Sequence, residues 1–348
     1  KMSFKNSLRK QVLFFLKNTG YGSFLCCCML LIPGLSAFAK GRVKPTWRID
    51  TGLVKIKIPA SGNINSLPYP YHSISALSID QPGLKWVDSL ISTLSLEEKI
   101  GQLFMVPAFS RYDSYYRNEI RTQILDYHIG GILFMRGGPV RQVQLVNYLQ
   151  SVSRIPLLIS IDAECGLGMR LDSTMTFPHE MALGAIRDNK LIYNMAYEIA
   201  RQCRAIGVHM DMAPVVDVND NPYNPIINER SFGENKTIVA AKGIAYMQGL
   251  QDGGILAVAK HFPGHGDSFE DSHLTLPVID RNARQMDSVE LYPFKKLINQ
   301  GLSGIMTAHL SVPSLDPTIN LASSLSKPIV TDLLKINWAF QVWLLPML

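Results

Sequence analysis

The sequence predicts an α/β fold, a (β/α)8 barrel of the TIM type, and three observations lead to it. Short apolar runs alternate with amphipathic stretches, no glycine-rich dinucleotide loop follows the first run, and ionisable residues stand at the C-terminal ends of four runs. Continuous apolar strands separated by helices describe a parallel sheet covered on both faces. Six such units in a row favour a closed barrel over an open doubly wound sheet.

From the N-terminus, Lys1, Lys5, Arg9, Lys10 and Lys17 make a positive region, followed by the apolar run 24–35 and the small residues of Ala37-Phe38-Ala39. Residues 1–39 therefore read as a secretory signal peptide, which places the protein in the periplasm or at the cell envelope. The stretch 21–39 is just long enough for an uncleaved anchor, the one route by which this chain would touch a membrane. Pro33 and Gly34 before the cleavage site favour removal. Eleven Lys/Arg against the single acid Asp50 fall within residues 1–57, a local net of +10, which leaves about −4 for the rest of a chain of formal charge +6. The basic balance thus belongs to the leader and its sequel, and no nucleic-acid partner is expected. Only Cys165 and Cys203 lie beyond the leader, too few for a disulfide framework, and they read as free thiols.

Residues 40–85, rich in Ser, Pro and Tyr, read as a linker or N-terminal extension, and the barrel is expected over 86–348. Ser95-Leu96-Glu97-Glu98 has the form of a capping box that opens a helix. The strand-like runs are 103–108, 131–135, 157–162, 208–218, 256–262 and 304–310; the later helical stretches are 140–152, 190–204, 237–251 and 287–299. Asp162, Asp217, Lys260-His261 and His309 end four of the runs, on the rim where barrel enzymes build their sites. Four buried strand ends carrying ionisable groups would be costly without a purpose.

Beyond the fifth run the chain reads Lys260-His261-Phe262-Pro263-Gly264-His265-Gly266-Asp267-Ser268-Phe269-Glu270-Asp271-Ser272-His273, a strand giving way to a long polar loop. A bend would bring Asp271 against His273, fixing the ring and raising its pKa toward neutrality, as suits a group that donates a proton and later accepts one. Spacing alone also fits two solvated loop residues. His265 and Asp267 read as loop-shaping residues, and Asp217 as structural.

K-H-F-P-G-H-G followed by D-S-H resembles the signature of the β-N-acetylglucosaminidase (β-hexosaminidase) branch of glycoside hydrolase family 3. There an Asp-His dyad on a loop replaces the carboxylic acid of most retaining glycosidases. Ile161-Asp162-Ala163-Glu164 with Arg170, Thr176-Phe177-Pro178 and Met181-Ala182-Leu183-Gly184-Ala185 resemble the family's third-strand motif, with Cys165 in place of a common glycine. Ala213-Pro214-Val215-Val216-Asp217, the segment Asn228-Glu229-Arg230-Ser231-Phe232-Gly233, and Met306-Thr307-Ala308-His309 resemble the fourth and sixth strands. The resemblance implies that His273 and Asp271 are catalytic and that Asp162, Arg170, Arg230, Lys260 and His261 hold a terminal N-acetylglucosamine. The implied reaction is retaining exo-hydrolysis of a β-linked cell-wall or chitin-type glycan, with no metal and no cofactor. Asp162 would accept from sugar hydroxyls while the cations donate, each charge-assisted bond worth roughly 1.5–3 kcal/mol. The arginines would equally serve as salt bridges that hold barrel loops.

The resemblance also implies a nucleophilic Asp after the seventh strand, in a segment like G-F-x-G-L-V-V-T-D-A. Here Asn337-Trp338-Ala339-Phe340 keeps the approach, but residues 341–348 do not match, and no Asp follows Asp332. The barrel is accordingly expected to be incomplete, with its last strands missing or garbled, and the chain alone insoluble or inactive. A reading-frame slip at the codon of Gln341 is compatible with the lost segment. Two rival readings remain: a non-catalytic sugar-binding remnant, and a metal-dependent barrel hydrolase using His261, His265, Asp267, His273 and His309.

Overall fold

The computed structural model describes residues 81–110, 114–272, 275–340 and 342–347. The expected signal peptide, almost all of the expected linker, and His273 lie outside the described residues. Helix α1 (Gln81–Thr93) begins five residues before the expected barrel boundary. Helix α2 (Leu96–Gly101) opens on the capping box foreseen at Ser95: Glu98 N donates to Ser95 Oγ at 3.2 Å, and Ser95 N donates to Glu98 Oε2 at 2.8 Å.

Seven parallel strands follow: β1 (Met105–Phe109), β2 (Gly131–Arg136), β3 (Leu158–Ile161), β4 (Met210–Asp211), β5 (Leu256–Phe262), β6 (Gly304–Thr307) and β7 (Trp343–Pro346). They stand side by side in chain order. Helices α3 (Ser114–Tyr127), α4 (Pro139–Val152), α6 (Asn189–Ala205) and α7 (Lys236–Asp252) connect them, with the short α5 (Glu180–Gly184) ahead of α6. After β5 come α8 (Ala283–Gln285), a π-helical turn (Met286–Glu290) and α9 (Leu291–Ile298); a longer π-helix (Lys327–Asn337) leads toward β7. Among the described residues, no helix is long and apolar enough to cross a membrane.

Period-two alternation sends the strand residues to two apolar layers. Leu133, Leu158, Met210, Val258, Met306 and Trp343, with Met105 packed against them, form one cluster drawn from all seven strands, which marks the concave inside of a curled sheet. Their neighbours Ile132, Phe134, Ile159, Ile161, Ala257 and Ile305 face outward and pack on helical residues such as Ile124, Leu149, Ile199 and Leu250. Burial on both faces is why the runs read as continuously apolar.

The C-terminal end corrects one expectation. The seventh strand is present: β7 pairs with β6 in unbroken register from Gly304↔Trp343 to Thr307↔Pro346. The unmatched residues still obey strand physics, since Trp343 and Leu345 enter the inner cluster while Val342 and Leu344 pack on the outer one. Pro346 has no N–H to offer, a loss that an edge strand tolerates. β1 and β7 are the two edges, and the described sheet is a curled half-barrel.

Candidate active site

The site lies at the C-terminal ends of β3, β4 and β5, and a bulge in β5 creates it. Ala259 pairs with Ile305 and Phe262 with Thr307, so Lys260 and His261 together stand opposite a single residue of β6. Regular alternation would aim two consecutive side chains at opposite faces; the bulge lets both turn into the same cleft. Cis peptide bonds join Lys260 to His261 and Phe262 to Pro263.

Five of the expected residues meet there. Lys260 Nζ donates to Asp162 Oδ1 at 2.8 Å and sits 2.6 Å from Glu164 Oε1. Arg170 Nη2 donates to Asp162 Oδ2 at 2.6 Å, and Arg230 clasps Glu164 through Nε (2.9 Å) and Nη2 (2.7 Å). Arg230 Nη2 also lies 3.3 Å from His261 Nε2. Three cations thus surround two carboxylates. Burial works against the charge on Asp162 and Glu164, yet Lys260 with Arg170 and Arg230 outweighs it and holds both below the ordinary carboxylate range. Burial also opposes the charge on Lys260, but the same two carboxylates raise its pKa.

His261 is held differently. Burial pushes its pKa down to about 4, leaving an uncharged ring whose Nδ1–H points at Asp217 Oδ2, 2.7 Å away. That tautomer leaves the Nε2 lone pair facing Arg230. Burial opposes ionisation of Asp217 as well, but the His261 ring and the main-chain N–H groups of His261 (3.1 Å) and His265 (2.8 Å) hold its carboxyl below the ordinary value. Asp217 thus anchors the His261 ring and the His265 main chain at once.

Sequence reasoning passed over several groups. Glu164 stands two residues after Asp162, a spacing that puts both on one side of an extended segment, and this signal would have found it. Its loop is pinned from below: Ala163 N donates to Asp211 Oδ1 at 2.8 Å, and the buried Tyr246 hydroxyl donates to Glu164 O at 2.8 Å. Burial pushes Asp211 up to about 7 and Glu180 well above its ordinary value. Cys165 and Cys203 are buried free thiols, and burial pushes Cys165 up to about 11, far from a thiolate at neutral pH.

Asp271 is half-buried on the loop after β5. In the set of the metal-hydrolase reading, His261 and His265 pack edge to face with ring centroids 6.0 Å apart, and each described member is engaged by other partners. His265 contacts Ser268 and Ser272, His309 contacts Ser324 and the Met347 carbonyl, and Asp267 pairs with Arg281. Among the described residues, no group of three or more His, Cys, Asp or Glu is placed to hold a metal ion.

Glu290 closes the π-helical turn under this loop, fully buried, with Arg281 Nε 3.1 Å from its Oε1. Gly264, at φ +125°, lies flat on it; a Cβ there would stand 2.6 Å from Glu290 Oε2. Burial pushes Glu290 up to about 8; Arg281 lowers it, while Asp217, Asp220 and Asp267 raise it further. A carboxyl raised in the folded state takes up a proton there and not in the unfolded chain. Its contribution is complete below its ordinary value of 4.5 and is lost as pH climbs to about 8. Glu290→Gln keeps the shape of the protonated group. The variant is expected to gain on the parent steadily between pH 4.5 and 8 and no further above, measured as urea unfolding free energies across that range. A difference that does not vary with pH would mean that Glu290 does not titrate there.

Residues 95–343 match the family described as glycosyl hydrolase family 3 N terminal domain. The chain is 36% identical over 246 residues to beta-hexosaminidase A of Pseudoalteromonas piscicida, covering 64% of this chain and 41% of that protein. It is 36% identical over 244 residues to beta-hexosaminidase LpqI of Mycobacterium tuberculosis, covering 68% and 60%. Among solved structures, a glycoside hydrolase family 3 beta-N-acetylglucosaminidase from Paenibacillus sp. str. FPU-7 superposes with a TM-score of 0.69 at 36% identity, over 73% of this chain and 49% of that one. The chain spans about half the length of these relatives.

Proposed function

The chain belongs to glycosyl hydrolase family 3, in its β-hexosaminidase branch, and from that membership we propose that its site grips the terminal β-linked N-acetylglucosamine of a cell-wall or chitin-type glycan for exo-hydrolysis. The observation that carries this reading is the cluster of Asp162, Glu164, Lys260, Arg170 and Arg230 gathered on one rim. A sugar ring offers neutral hydroxyls, and a pre-paired set of carboxylates and cations supplies both acceptors and donors for them without stranding a buried charge. In the retaining reaction a carboxylate attacks the anomeric carbon and the His273–Asp271 pair protonates the departing oxygen. Water then releases the sugar, with the same pair taking up a proton. The secretory reading of residues 1–39 puts this work in the cell envelope.

One observation favours binding over cutting in the chain as sequenced. The residue that follows β7 is Met347, and among the described residues none after Phe340 is a carboxylate. The sugar grip needs nothing from β7, whereas the covalent step does. Calorimetric titration with N-acetylglucosamine separates the two. The chain is expected to bind this sugar more tightly than glucose, and Asp162→Asn is expected to weaken binding at least about tenfold through loss of charge-assisted bonds. A folded chain with no measurable affinity would overturn the reading.

A further inference from the structure

We infer that His265 is a positioning residue: its imidazole clamps both feet of the loop that carries Asp271 and leads to His273, and it shares the Asp217 anchor with the sugar-site residue His261. His265 is fully buried. Its Nδ1 lies 2.7 Å from Ser268 Oγ and its Nε2 lies 2.8 Å from Ser272 Oγ. A ring with a single N–H donates to one serine and accepts from the other, so both hydroxyls are satisfied by one side chain. Both serines are buried, while Phe269 between them is exposed and Asp271 half-buried. The two contacts thus turn residues 268–272 into an arch with fixed feet, and Ser272 is the residue immediately before His273.

The clamp is itself held from outside the loop. His265 N donates to Asp217 Oδ1 at 2.8 Å, the carboxylate that accepts from the His261 ring. Asn224 Nδ2 donates to the carbonyls of His265 (2.8 Å) and Gly266 (3.0 Å), and Asn221 Nδ2 donates to Ser268 O at 2.9 Å. Gly266 packs against the main chain of Val218, whose carbonyl oxygen would lie 1.9 Å from any added Cβ. The loop after β4 and the loop after β5 are therefore laced together around one imidazole. Proton transfer depends on placement to within a fraction of an ångström, so a residue that fixes the foot beside the proposed acid acts on the reaction without touching sugar.

The inference rests on the proposed roles of Asp271 and His273, and its test does not need turnover. Backbone amide exchange in the full chain is compared with that of Ser272→Ala, His265→Asn and His265→Gln. Asparagine keeps a polar group near the Nδ1 position and loses the Ser272 contact; glutamine reaches the Nε2 position. Ser272→Ala and His265→Asn are expected to speed exchange over residues 269–275 about fivefold to tenfold and to shift the His273 imidazole NMR signals. His265→Gln should restore most of the protection, and affinity for N-acetylglucosamine should stay within about twofold in all three. Ser272→Ala, which removes a single oxygen atom, keeps the question open to decision if His265 variants fail to fold. Unchanged loop exchange in Ser272→Ala, or a loss of sugar affinity matching the loss of loop protection, would overturn the clamp. A parent chain that binds no N-acetylglucosamine would instead overturn the sugar reading and leave the exchange result standing.

Discussion

Met347→Asp is expected to hydrolyse an aryl N-acetyl-β-glucosaminide at least about 10³-fold faster than the chain as sequenced. With Phe340 set on the phenylalanine of the family-like segment G-F-x-G-L-V-V-T-D-A, Met347 falls in the place of the aspartate. The fold is consistent with that alignment, because β7 keeps an unbroken register with β6 up to Pro346. Met347 N then donates to Thr307 O at 2.8 Å, its carbonyl lies 2.8 Å from His309 Nε2, and its Sδ lies 3.9 Å from Ser272 Oγ. The side chain at this position consequently faces the loop of the proposed proton donor. A carboxylate there would leave an apolar cluster containing Trp343 and Met306, at a cost to stability of about 1–3 kcal/mol, with the Ser272 hydroxyl near enough to help solvate it. Initial rates with a 4-nitrophenyl substrate check the gain, and Met347→Asn, polar but not nucleophilic, should show none. If Met347→Asp binds the sugar yet gains no activity, the end of β7 is not where the covalent step takes place.

The strands were legible because physics leaves few options for them. A stretch such as 256–262, apolar on both parities and bounded by helical periodicity, has no other low-cost place than a parallel sheet, and β5 occupies those residues. The cleft was less legible. Alternation assigns Lys260 and His261 to opposite faces, and only the bulge, a three-dimensional irregularity against β6, brings them together. Asp217 was foreseen as structural, but its double hold on His261 and the His265 main chain depends on loops that return from distant positions. Asp211 stands inside the apolar run 208–218, and the burial of Glu180 and Glu290 is a tertiary property that local composition does not encode. The expectation that the last strands are missing or garbled came from comparing residues 341–348 with a motif. Pairing needs only the right alternation and volume, which Trp343, Leu344 and Leu345 supply.

The second large effect belongs to Lys260. Lys260→Met, close in length and without the charge, is expected to destabilise the fold by about 3–5 kcal/mol and to abolish measurable affinity for N-acetylglucosamine. Among the described residues Lys260 is the one cation that bridges the two carboxylates: Arg170 reaches Asp162, Arg230 reaches Glu164, and Lys260 Nζ touches both. Without it two negative groups share a buried space, and the pKa of each moves upward from its depressed value. Carboxyls depressed in the folded state stabilise above their unfolded pKa and lose that contribution as pH falls. The parent should therefore weaken on acidification as Asp162 and Glu164 take up protons, and the variant should show a shallower fall. Urea unfolding at several pH values measures both quantities. The double variant with Asp162→Asn decides whether the charges act as a unit. Effects that fall short of additivity by about 0.5–3 kcal/mol would mean that Lys260 and Asp162 hold each other in place, whereas simple additivity would assign the ammonium to Glu164 alone.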